Sequence, residues 1–290
     1  HALIWKVKKK NKKTLRGFIK RIETKLLGRL LLNVFELNDS SIFDYVEQLN
    51  KLKPKYIRGY KSGVHELARL MDKHNLSLKG FDLTLAIVTA ETLEEFEREY
   101  IEKILKCKVA NEYGSDEAGL FSLECPEGSM HLNEESVHIY TDDQNYSYVT
   151  ELHNNAMPLL NYRNEDRVTF RKDLCSCGRS LKVINSIQGR ITDFIACPGG
   201  ERIHSYIIIA GLTEINSLIN NSISKFRVTQ KGTDIFIEII PGIGYCEDVK
   251  TEVKNRITSK LIGNMNIKVL IVDTIPREKS GKLRSFRRIA

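Results

Sequence analysis

Three cysteines and one histidine have the types and spacing of a zinc site. Cys125 and His131 enclose five residues that include a glycine, and Cys175 and Cys177 form a Cys-x-Cys-Gly sequence further along. Three thiolates and one imidazole make the closed, four-coordinate set that is typical of structural Zn²⁺. The alternative is a set of unrelated thiols and a stray histidine, but Cys-x-Cys-Gly in a charged loop is hard to explain as core. The sequence therefore predicts a structural zinc site.

A second group of residues has the character of a nucleotide site with a divalent cation. Segment 111–117 (NEYGSDE) places an aromatic ring, a glycine and two acids directly after a strand-like run. A flat ring can stack on a base, and carboxylates are ligands that Mg²⁺ prefers. In segment 162–167 (YRNEDR), Asp166 offers two acceptor oxygens for the two hydroxyls of a ribose. Taken alone, each segment is better explained as a charged surface turn.

Two basic segments that contain glycine complete this group. Gly189-Arg190 lies where the composition changes, and its guanidinium could contact a nucleotide phosphate or sugar. Segment 276–284 (PREKSGKLR) presents Lys282 from a flexible Ser-Gly turn. That lysine could bring a positive charge to a substrate carboxylate and to the α-phosphate of ATP. A basic tail is at least as good an explanation of this segment alone.

The order and spacing of these four segments resemble the adenylate-forming superfamily of acyl-CoA synthetases. Within it, the chain looks most like the phenylacetate–CoA ligase and CapK capsular-polysaccharide branch, with which segments 58–62 (RGYKS) and 89–93 (TAETL) agree. The resemblance runs from about residue 35 to residue 290. It implies activation of a carboxylic acid by ATP to an acyl-adenylate, with transfer to coenzyme A as a second step.

The resemblance also implies roles for individual residues. Tyr113 would stack on adenine, and Glu117 would help to bind Mg²⁺. Asp166 would hold the ribose hydroxyls, and Arg190 would contact the nucleotide. The nucleotide-binding turn as a whole consists of Tyr113, Gly114, Ser115, Asp116 and Glu117. Asp116 departs from the threonine that is commoner in the family, which puts the phosphate contact of this turn in doubt. Members of the branch are also similar in carrying Cys and His near the predicted zinc ligands.

The small domain and its hinge are assigned in the same way. Lys282 would stabilise charge during adenylation, and Asp193 would lie at or near the hinge. The family's Ser/Thr/Gly-rich phosphate loop should lie upstream of these motifs, but residues 1–40 contain only Gly17 and Gly28 and no such cluster. Because the chain starts with His1, we expect truncation rather than a partner chain to explain the missing loop. We therefore expect this polypeptide to lack full adenylation activity.

Hydrophobic periodicity predicts the elements that position the first group of motifs. Two helices split by Pro54 are predicted over 41–70, followed by a strand over 81–88 and a helix over 93–104 capped by Thr92. Further short strands are predicted over 108–111, 137–140, 147–152 and 167–170. Strands that alternate with helices favour an α/β sheet in this half.

A different pattern follows Gly189. The sequence predicts a helix at 206–220, a hairpin of strands 226–230 and 234–240, a helix at 247–261 and a strand at 267–272. Together with the resemblance, this pattern predicts an α/β protein. A partial large adenylation domain would occupy residues 1–192, and a mobile small α+β C-terminal domain would occupy residues 193–290.

The net charge of +8 arises at the beginning of the chain, where residues 1–25 carry ten Lys or Arg against Glu23. This segment could bind an anionic partner, but we favour a solvated loop and helix face. Aromatic residues are not interleaved as a binder of single strands requires. No apolar run approaches the roughly 18 residues of a membrane helix, and no signal peptide is visible. We therefore predict a cytoplasmic protein without a membrane span or a specific nucleic-acid partner.

Three functions compete. The first is an ATP-dependent ligase acting on a small carboxylate, for which aryl acids, fatty acids and polysaccharide carriers all stay open. The second is a noncatalytic nucleotide-binding or scaffold protein that lacks the phosphate loop. The third is a basic zinc protein that binds nucleic acid, whose affinity would fall steeply with salt. The third is least favoured because it leaves Asp166, Arg190 and Lys282 without a purpose.

Overall fold

A computed structural model describes residues 1–6, 28–190, 194–219 and 222–289 of the chain. The described residues form a mixed α/β structure with a large eleven-stranded sheet and a smaller C-terminal domain. Most of the basic segment and the predicted hinge residue Asp193 lie outside the described residues. The proposed division at residues 192 and 193 therefore stays a prediction.

The described residues of the first part of the chain supply the large sheet and three helices. Its elements are β1 (Ala2–Trp5), β2 (Leu30–Asn33), α1 (Ile42–Leu52), β3 (Tyr56–Tyr60), α2 (Lys61–Lys73), β4 (Leu85–Thr89), α3 (Glu95–Leu105), β5 (Lys108–Ser115), β6 (Gly119–Glu124), β7 (Met130–Leu132), β8 (Val137–Thr141), β9 (Tyr146–Glu151), β10 (Tyr162–Arg171) and β11 (Val183–Arg190).

The large sheet changes from parallel to antiparallel at β5. Its strand order is β2-β1-β3-β4-β5-β6-β7-β11-β10-β9-β8, and the pairs from β2 to β5 are parallel. The pairs from β5 to β8 are antiparallel. The carboxyl ends of β3, β4 and β5 therefore meet at one edge, which is where open α/β sheets bind ligands.

The three helices bury one face each against the parallel strands. In α1, Ile42, Tyr45, Val46 and Leu49 are buried at helical spacing, and they join one core with the side chains of β1, β3 and β4. Helix α3 begins with a capping box in which the side chains of Glu94 and Glu97 bind each other's backbone N–H groups. The predicted cap Thr92 is therefore wrong by two residues.

Strand β3 lies in a segment that the hydrophobic pattern predicted as helix, and β1, β2, β6, β7 and β11 were not predicted as strands either. The second predicted helix begins at Lys61, and the preceding Tyr56–Tyr60 pair instead with β1 and β4. A Cβ at Gly59 would lie 2.7 Å from the carbonyl oxygen of Ile4, so the two strands approach too closely for any side chain there. Such a pairing depends on a distant strand, and helical periodicity in the sequence does not reveal it.

The C-terminal domain has its own sheet and core. Its elements are β12 (Phe194–Ala196), β13 (Arg202–His204), α4 (Tyr206–Leu218), β14 (Ile223–Lys231), β15 (Asp234–Pro241), α5 (Glu247–Lys260), β16 (Asn266–Ile271) and β17 (Phe286–Ile289). The predicted hairpin is confirmed as the antiparallel pair β14–β15, and β16 and β17 add parallel strands on either side. Apolar side chains of both helices and of this sheet form one cluster.

Helix α2 buries titratable side chains as well as apolar ones. The ammonium of Lys61 lies 2.6 Å from the carboxylate of Glu97, and the ring of His65 is only 5% exposed. Burial lowers the pKa of His65 from 6.5 to about 4, with nearby Lys61 and Lys225 adding to the effect against the opposing carboxylate of Glu97. His65 is therefore neutral in the folded protein at any pH well above 4.

We expect the free energy of unfolding to fall as the pH drops from about 6.5 to about 4, because only the unfolded chain takes up a proton at His65 in that window. The slope should approach about 1.4 kcal/mol per pH unit. In His65→Gln this slope should disappear, whereas it should persist in His138→Gln, which changes an exposed histidine. Urea unfolding at pH 7 and pH 5 measures it, and equal pH dependence in both variants would contradict the assignment.

No helix within the described residues has both the length and the apolar character needed to cross a membrane.

Candidate functional site

Tyr113 and Asp166, which come from distant parts of the sequence, meet beside the edge where β5 ends. The hydroxyl of Tyr113 donates a hydrogen bond to Asp166 Oδ2 at 2.9 Å. The side-chain amide of Asn164 donates to both the Tyr113 hydroxyl and Asp166 Oδ2, each at 2.9 Å. Burial and the neighbouring Asp166 raise the pKa of Tyr113, so its hydroxyl stays protonated. The three side chains therefore hold one another in a fixed orientation.

The backbone near Asp166 is irregular, and this irregularity directs its side chain. Glu165 has a φ of 62°, in the left-handed region, and the register of β10 against β11 shifts between Asp166 and Arg167. A bulge of this kind re-aims a side chain out of the regular alternation of a strand. On β6, which pairs with the β5 strand of Tyr113, the ring of Phe121 packs edge-on against the Tyr113 ring with centroids 5.2 Å apart.

The turn between β5 and β6 contains the rest of the predicted nucleotide segment. Gly114 must lack a side chain, since a Cβ there would lie 2.2 Å from the carbonyl oxygen of Gly119. The Ser115 hydroxyl accepts a hydrogen bond from the Ala118 N–H at 3.1 Å, which closes the turn. Asp116 and Glu117 are exposed at its tip, where their carboxylates are open to a cation.

Arg190 ends β11 directly opposite Asp166. The two residues are paired in the antiparallel register of β10 and β11. This places the backbone of Arg190 next to the Tyr113–Asp166 cluster. The residues that follow it, 191–193, lie outside the described part of the chain.

The segment that carries Lys282 lies against the carboxyl ends of β3 and β4. The N–H of Leu283 donates to Glu91 Oε1 at 2.7 Å, and Glu91 follows β4 by two residues. The Tyr60 hydroxyl, at the end of β3, donates to the carbonyl oxygen of Ser280 at 3.1 Å. Because β4 pairs directly with β5, Lys282 approaches the same edge of the sheet as Tyr113.

An ion pair between Arg58 and Glu112 stabilises this edge of the sheet. Arg58 Nε donates to Glu112 Oε2 at 2.8 Å, and a second nitrogen of the guanidinium binds the other oxygen. Arg58 also lies over the Trp5 ring, 5.5 Å from its centroid. A bidentate pair of this type fixes the geometry of both partners. Glu112 immediately precedes Tyr113, so the pair holds the end of β5.

The four predicted zinc ligands come together at the other end of β6 and beyond β10. Their ligand atoms, from Cys125, His131, Cys175 and Cys177, all lie within 4.8 Å of one another. The sulfur atoms of Cys125 and Cys175 are 3.8 Å apart, and Cys177 Sγ lies 3.2 Å from His131 Nε2. Tetrahedral zinc with Zn–S bonds of about 2.3 Å would separate two sulfurs by about 3.8 Å. The donor set and its spacing fit one zinc ion.

Two glycine turns shape this cluster. The N–H of Gly128 donates to the carbonyl oxygen of Cys125 at 2.9 Å, and the N–H of Gly178 donates to that of Cys175 at 3.2 Å. Both glycines have positive φ values, 75° and 82°. Only glycine adopts such φ values without strain, so the sequences that follow Cys125 and Cys175 turn tightly enough to aim two thiols at one point.

Neighbouring groups favour metal binding by His131 and Cys175, whereas burial raises the pKa of Cys125. His131 Nδ1 lies 3.3 Å from the carbonyl oxygen of Leu181, and donation to that oxygen would leave Nε2 free to bind a metal. Hydrogen bonds from the Ser129 side chain and the Cys177 N–H lower the pKa of Cys175 to about 5, which favours the thiolate. Arg179 binds the Cys177 sulfur, which raises the pKa of the guanidinium. Its charge would offset the net negative charge of three thiolates around Zn²⁺.

Sequence reasoning identified several segments at the site but missed the partners that connect them. Asn164, Arg58, Glu91 and Arg277 all lie inside segments noted for their family resemblance, yet their contacts were not predicted. Only the contact of Asn164 could have been predicted from the sequence, because Asn164 lies two residues before its partner Asp166. The others bind groups whose proximity depends on the whole fold.

Two sequence comparisons define what the chain resembles. Residues 201–288 match the sequence model of the CapK C-terminal domain family. Over 268 residues the chain is 25% identical to the protein CapK of Staphylococcus aureus, in an alignment that covers 90% of this chain and 58% of CapK. The chain thus spans little more than half the length of that curated relative.

Solved structures share the fold. Crystal structures of 2-hydroxyisobutyryl-CoA ligase match 99% of this chain at 17% identity. The match to the postadenylation state in complex with R3-HIB-AMP has a TM-score of 0.74 and covers 65% of the ligase chain. The match to the thioesterification state in complex with 2-HIB-AMP and CoA has a TM-score of 0.53 and covers 64% of the ligase chain. The chain therefore has the fold of the adenylate-forming acyl-CoA ligases. By sequence, it is a homologue of CapK that carries a CapK C-terminal domain.

Proposed function

We propose that the protein containing this chain is an ATP-dependent acid–thiol ligase of the cytoplasm. In the first step, a carboxylate oxygen of the substrate attacks the α-phosphorus of ATP. The bond to the β-phosphate breaks, and pyrophosphate leaves with its electron pair. In the second step, the thiolate of coenzyme A attacks the acyl carbon, and AMP leaves. The chain would supply the adenosine-binding side of the site and the mobile lysine.

The observation that carries this proposal is the meeting of Tyr113, Asp166 and the Lys282 segment at one edge of the sheet. Tyr113 and Asp166 are fixed by mutual hydrogen bonds, and the Lys282 segment is bound to Glu91 at the end of the adjacent strand. These groups match the parts of an acyl-adenylate. The aromatic ring would stack on adenine, the carboxylate would accept hydrogen bonds from the ribose hydroxyls, and the lysine would lie near the acyl phosphate. A noncatalytic scaffold would not require the lysine at that position.

The other assigned residues complete the site. Arg190, opposite Asp166, would contact the nucleotide, and the exposed Glu117 would bind Mg²⁺ that neutralises phosphate charge. Because Gly114 has no side chain, the backbone of β5 can approach that of Gly119 closely. Ser115 and Asp116 would lie next to the phosphates of the bound nucleotide.

The small domain would alternate between two arrangements, one for each step. The higher similarity to the postadenylation state of 2-hydroxyisobutyryl-CoA ligase supports an arrangement in which Lys282 approaches the adenylate. A rotation about the segment near Asp193 would then withdraw the lysine and admit coenzyme A. The predicted boundary between residues 1–192 and 193–290 belongs to this proposal.

We expect Asp166→Asn to raise the Kd of this chain for AMP, or for a nonhydrolysable acyl-AMP analogue, by on the order of tenfold or more. Asparagine replaces one acceptor oxygen with a donor, so a ribose hydroxyl loses its partner. Isothermal titration calorimetry measures the change. Asp143→Asn, which alters an exposed carboxylate near the β8–β9 turn, is the matched control. Equal affinities in both variants and the wild type would contradict the assignment.

The noncatalytic alternative makes a different prediction. It expects nucleotide binding that Asp166→Asn weakens, a natural full-length protein without a phosphate loop, and no exchange of pyrophosphate into ATP with any carboxylate. Exchange that depends on a carboxylic acid would support the ligase. A screen of aryl, fatty and sugar acids would therefore both separate the two functions and narrow the substrate class.

We also propose that the Cys₃His cluster holds one structural zinc ion. Zinc fits because every ligand is provided by the chain and the four donors are close enough to close a tetrahedron. The cluster joins the turn before β7 to the loop between β10 and β11, away from the Tyr113 turn at the opposite end of β6. Its role would be to stabilise the sheet that carries Asp166, rather than to act on a substrate.

A further inference from the structure

The carboxylate of Glu91 connects the two parts of the molecule. Its Oε2 accepts a hydrogen bond from the N–H of Ser62 at 2.8 Å. Its Oε1 accepts from the Ser62 hydroxyl at 2.9 Å and from the N–H of Leu283 at 2.7 Å. Two of these donors belong to the first turn of α2, and the third lies next to Lys282. One side chain thus ties the lysine segment to the large sheet.

Ser62 extends this connection to a second residue of the same segment. The guanidinium of Arg277 donates to the Ser62 hydroxyl and, at 3.0 Å, to the Ser62 carbonyl oxygen. It also donates to the carbonyl oxygen of Gly281 at 3.1 Å. Ser62 is only 3% exposed, so these bonds lie in an environment with little competing water. Glu91, Ser62 and Arg277 therefore enclose the turn that presents Lys282.

The turn itself fits closely against the large domain. Gly281 is buried with a φ of 96°, and a Cβ there would lie 2.9 Å from Cε2 of Tyr60. The N–H of Gly281 donates to the carbonyl oxygen of Glu278 at 2.9 Å, and the N–H of Glu278 donates to that of Lys282 at 3.0 Å. The turn is thus internally closed and docks as a unit, so its attachment determines where Lys282 points.

We infer that Glu91 is a positioning residue, whose carboxylate fastens the Lys282 turn in the arrangement that serves adenylation. The inference rests on the proposed function for the role of Lys282, but the docking itself is independent of it. All three partners of Glu91 are donors, so the position requires a group that only accepts. Glutamine has the same shape but would direct its NH₂ group at the N–H of Ser62 or of Leu283. It therefore cannot satisfy both.

Hydrogen exchange in the present chain tests the docking directly. Glu91→Gln should increase amide exchange in the peptide that spans residues 277–284 by on the order of tenfold or more, because a hydrogen bond to a charged acceptor is lost. Exchange in the β14–β15 hairpin should stay unchanged, which shows that the small domain is folded. Glu97→Gln is the matched control, since Glu97 binds Lys61 and the backbone of Glu94, both within the large domain.

Two results would overturn the inference. One is unchanged exchange at 277–284 in Glu91→Gln. The other is an equal increase in Glu97→Gln, which would indicate general destabilisation. Gly281→Ala provides a reference for an undocked turn, because its new methyl group would collide with Tyr60.

A second measurement connects docking to chemistry in a protein that also carries the phosphate loop. Glu91→Gln should slow pyrophosphate exchange by on the order of tenfold, whereas thioester formation from a supplied acyl-adenylate should change little. A purely structural role would slow both steps. If the wild-type protein showed no exchange with any acid, the proposed ligase function would fail, while hydrogen exchange would still decide whether Glu91 fastens the turn.

Discussion

Lys282→Ala should reduce acyl-adenylate formation by on the order of a hundredfold or more in a protein that also carries the phosphate loop. Adenylation brings the substrate carboxylate up to the α-phosphate of ATP, and the repulsion between these two anions must be offset in the transition state. Lysine suits this task because its compact charge sits on a flexible stem. The docked turn brings that stem to the edge of the sheet where Tyr113 lies. Pyrophosphate exchange measures the loss.

The second half-reaction supplies the internal control for Lys282. Thioester formation from a supplied acyl-adenylate should be far less affected, since no phosphate has to approach the acid in that step. Lys279→Ala is the matched variant, because it removes an exposed lysine from the same segment. An equal reduction of both half-reactions, or no reduction in either, would remove Lys282 from the mechanism and leave the segment as a basic tail.

The second large effect concerns the metal cluster. Protein purified without a chelator should contain about one zinc ion per chain. Cys175→Ser should weaken zinc retention and lower the free energy of unfolding by on the order of a few kcal/mol, because the binding energy of a structural site is also folding energy. Elemental analysis and thermal unfolding measure the two changes.

The controls for zinc use a thiol outside the cluster and a chelator. Cys246→Ser changes an exposed cysteine at the N-cap of α5, where serine is favoured, so it should leave zinc content unchanged and should not lower stability. A chelator should lower the stability of the wild type toward that of Cys175→Ser. Absence of zinc from freshly purified protein would refute the site.

The convergence of the four Cys and His side chains was predictable because each half of the cluster is local in sequence. Cys175, Cys177 and Gly178 form one tight turn, so their spacing alone reflects the geometry of the site. The same holds for Tyr113, Gly114 and the acids that follow in a single turn. The residue types that chemistry requires were therefore recognisable before the fold was known, and the four predicted metal ligands do converge.

Contacts between distant segments could not be predicted in this way. Glu91 and Leu283 are 192 positions apart, and Ser62 and Arg277 are 215 apart. A carboxylate near the end of a strand has many candidate partners, and only the docked domains select one. Strand β3 was missed for a related reason, since its neighbours β1 and β4 lie elsewhere in the sequence. Local sequence patterns predict helices, strands and turns. Which distant residues form hydrogen bonds, and which strands pair, depends on the tertiary packing of the whole chain.

The position of β17 in the small sheet has a consequence for the synthesis of the protein. Strand β14 is internal to this sheet, but its parallel partner β17 follows about 58 residues later in the chain. At a synthesis rate of roughly 5–20 residues per second, one edge of β14 would stay unpaired for several seconds on the ribosome. An open strand edge is a template for pairing with other chains. The nascent small domain is therefore prone to aggregation during this interval. The exposed edge of β14 is paired only after the segment that bears Lys282 has been synthesised.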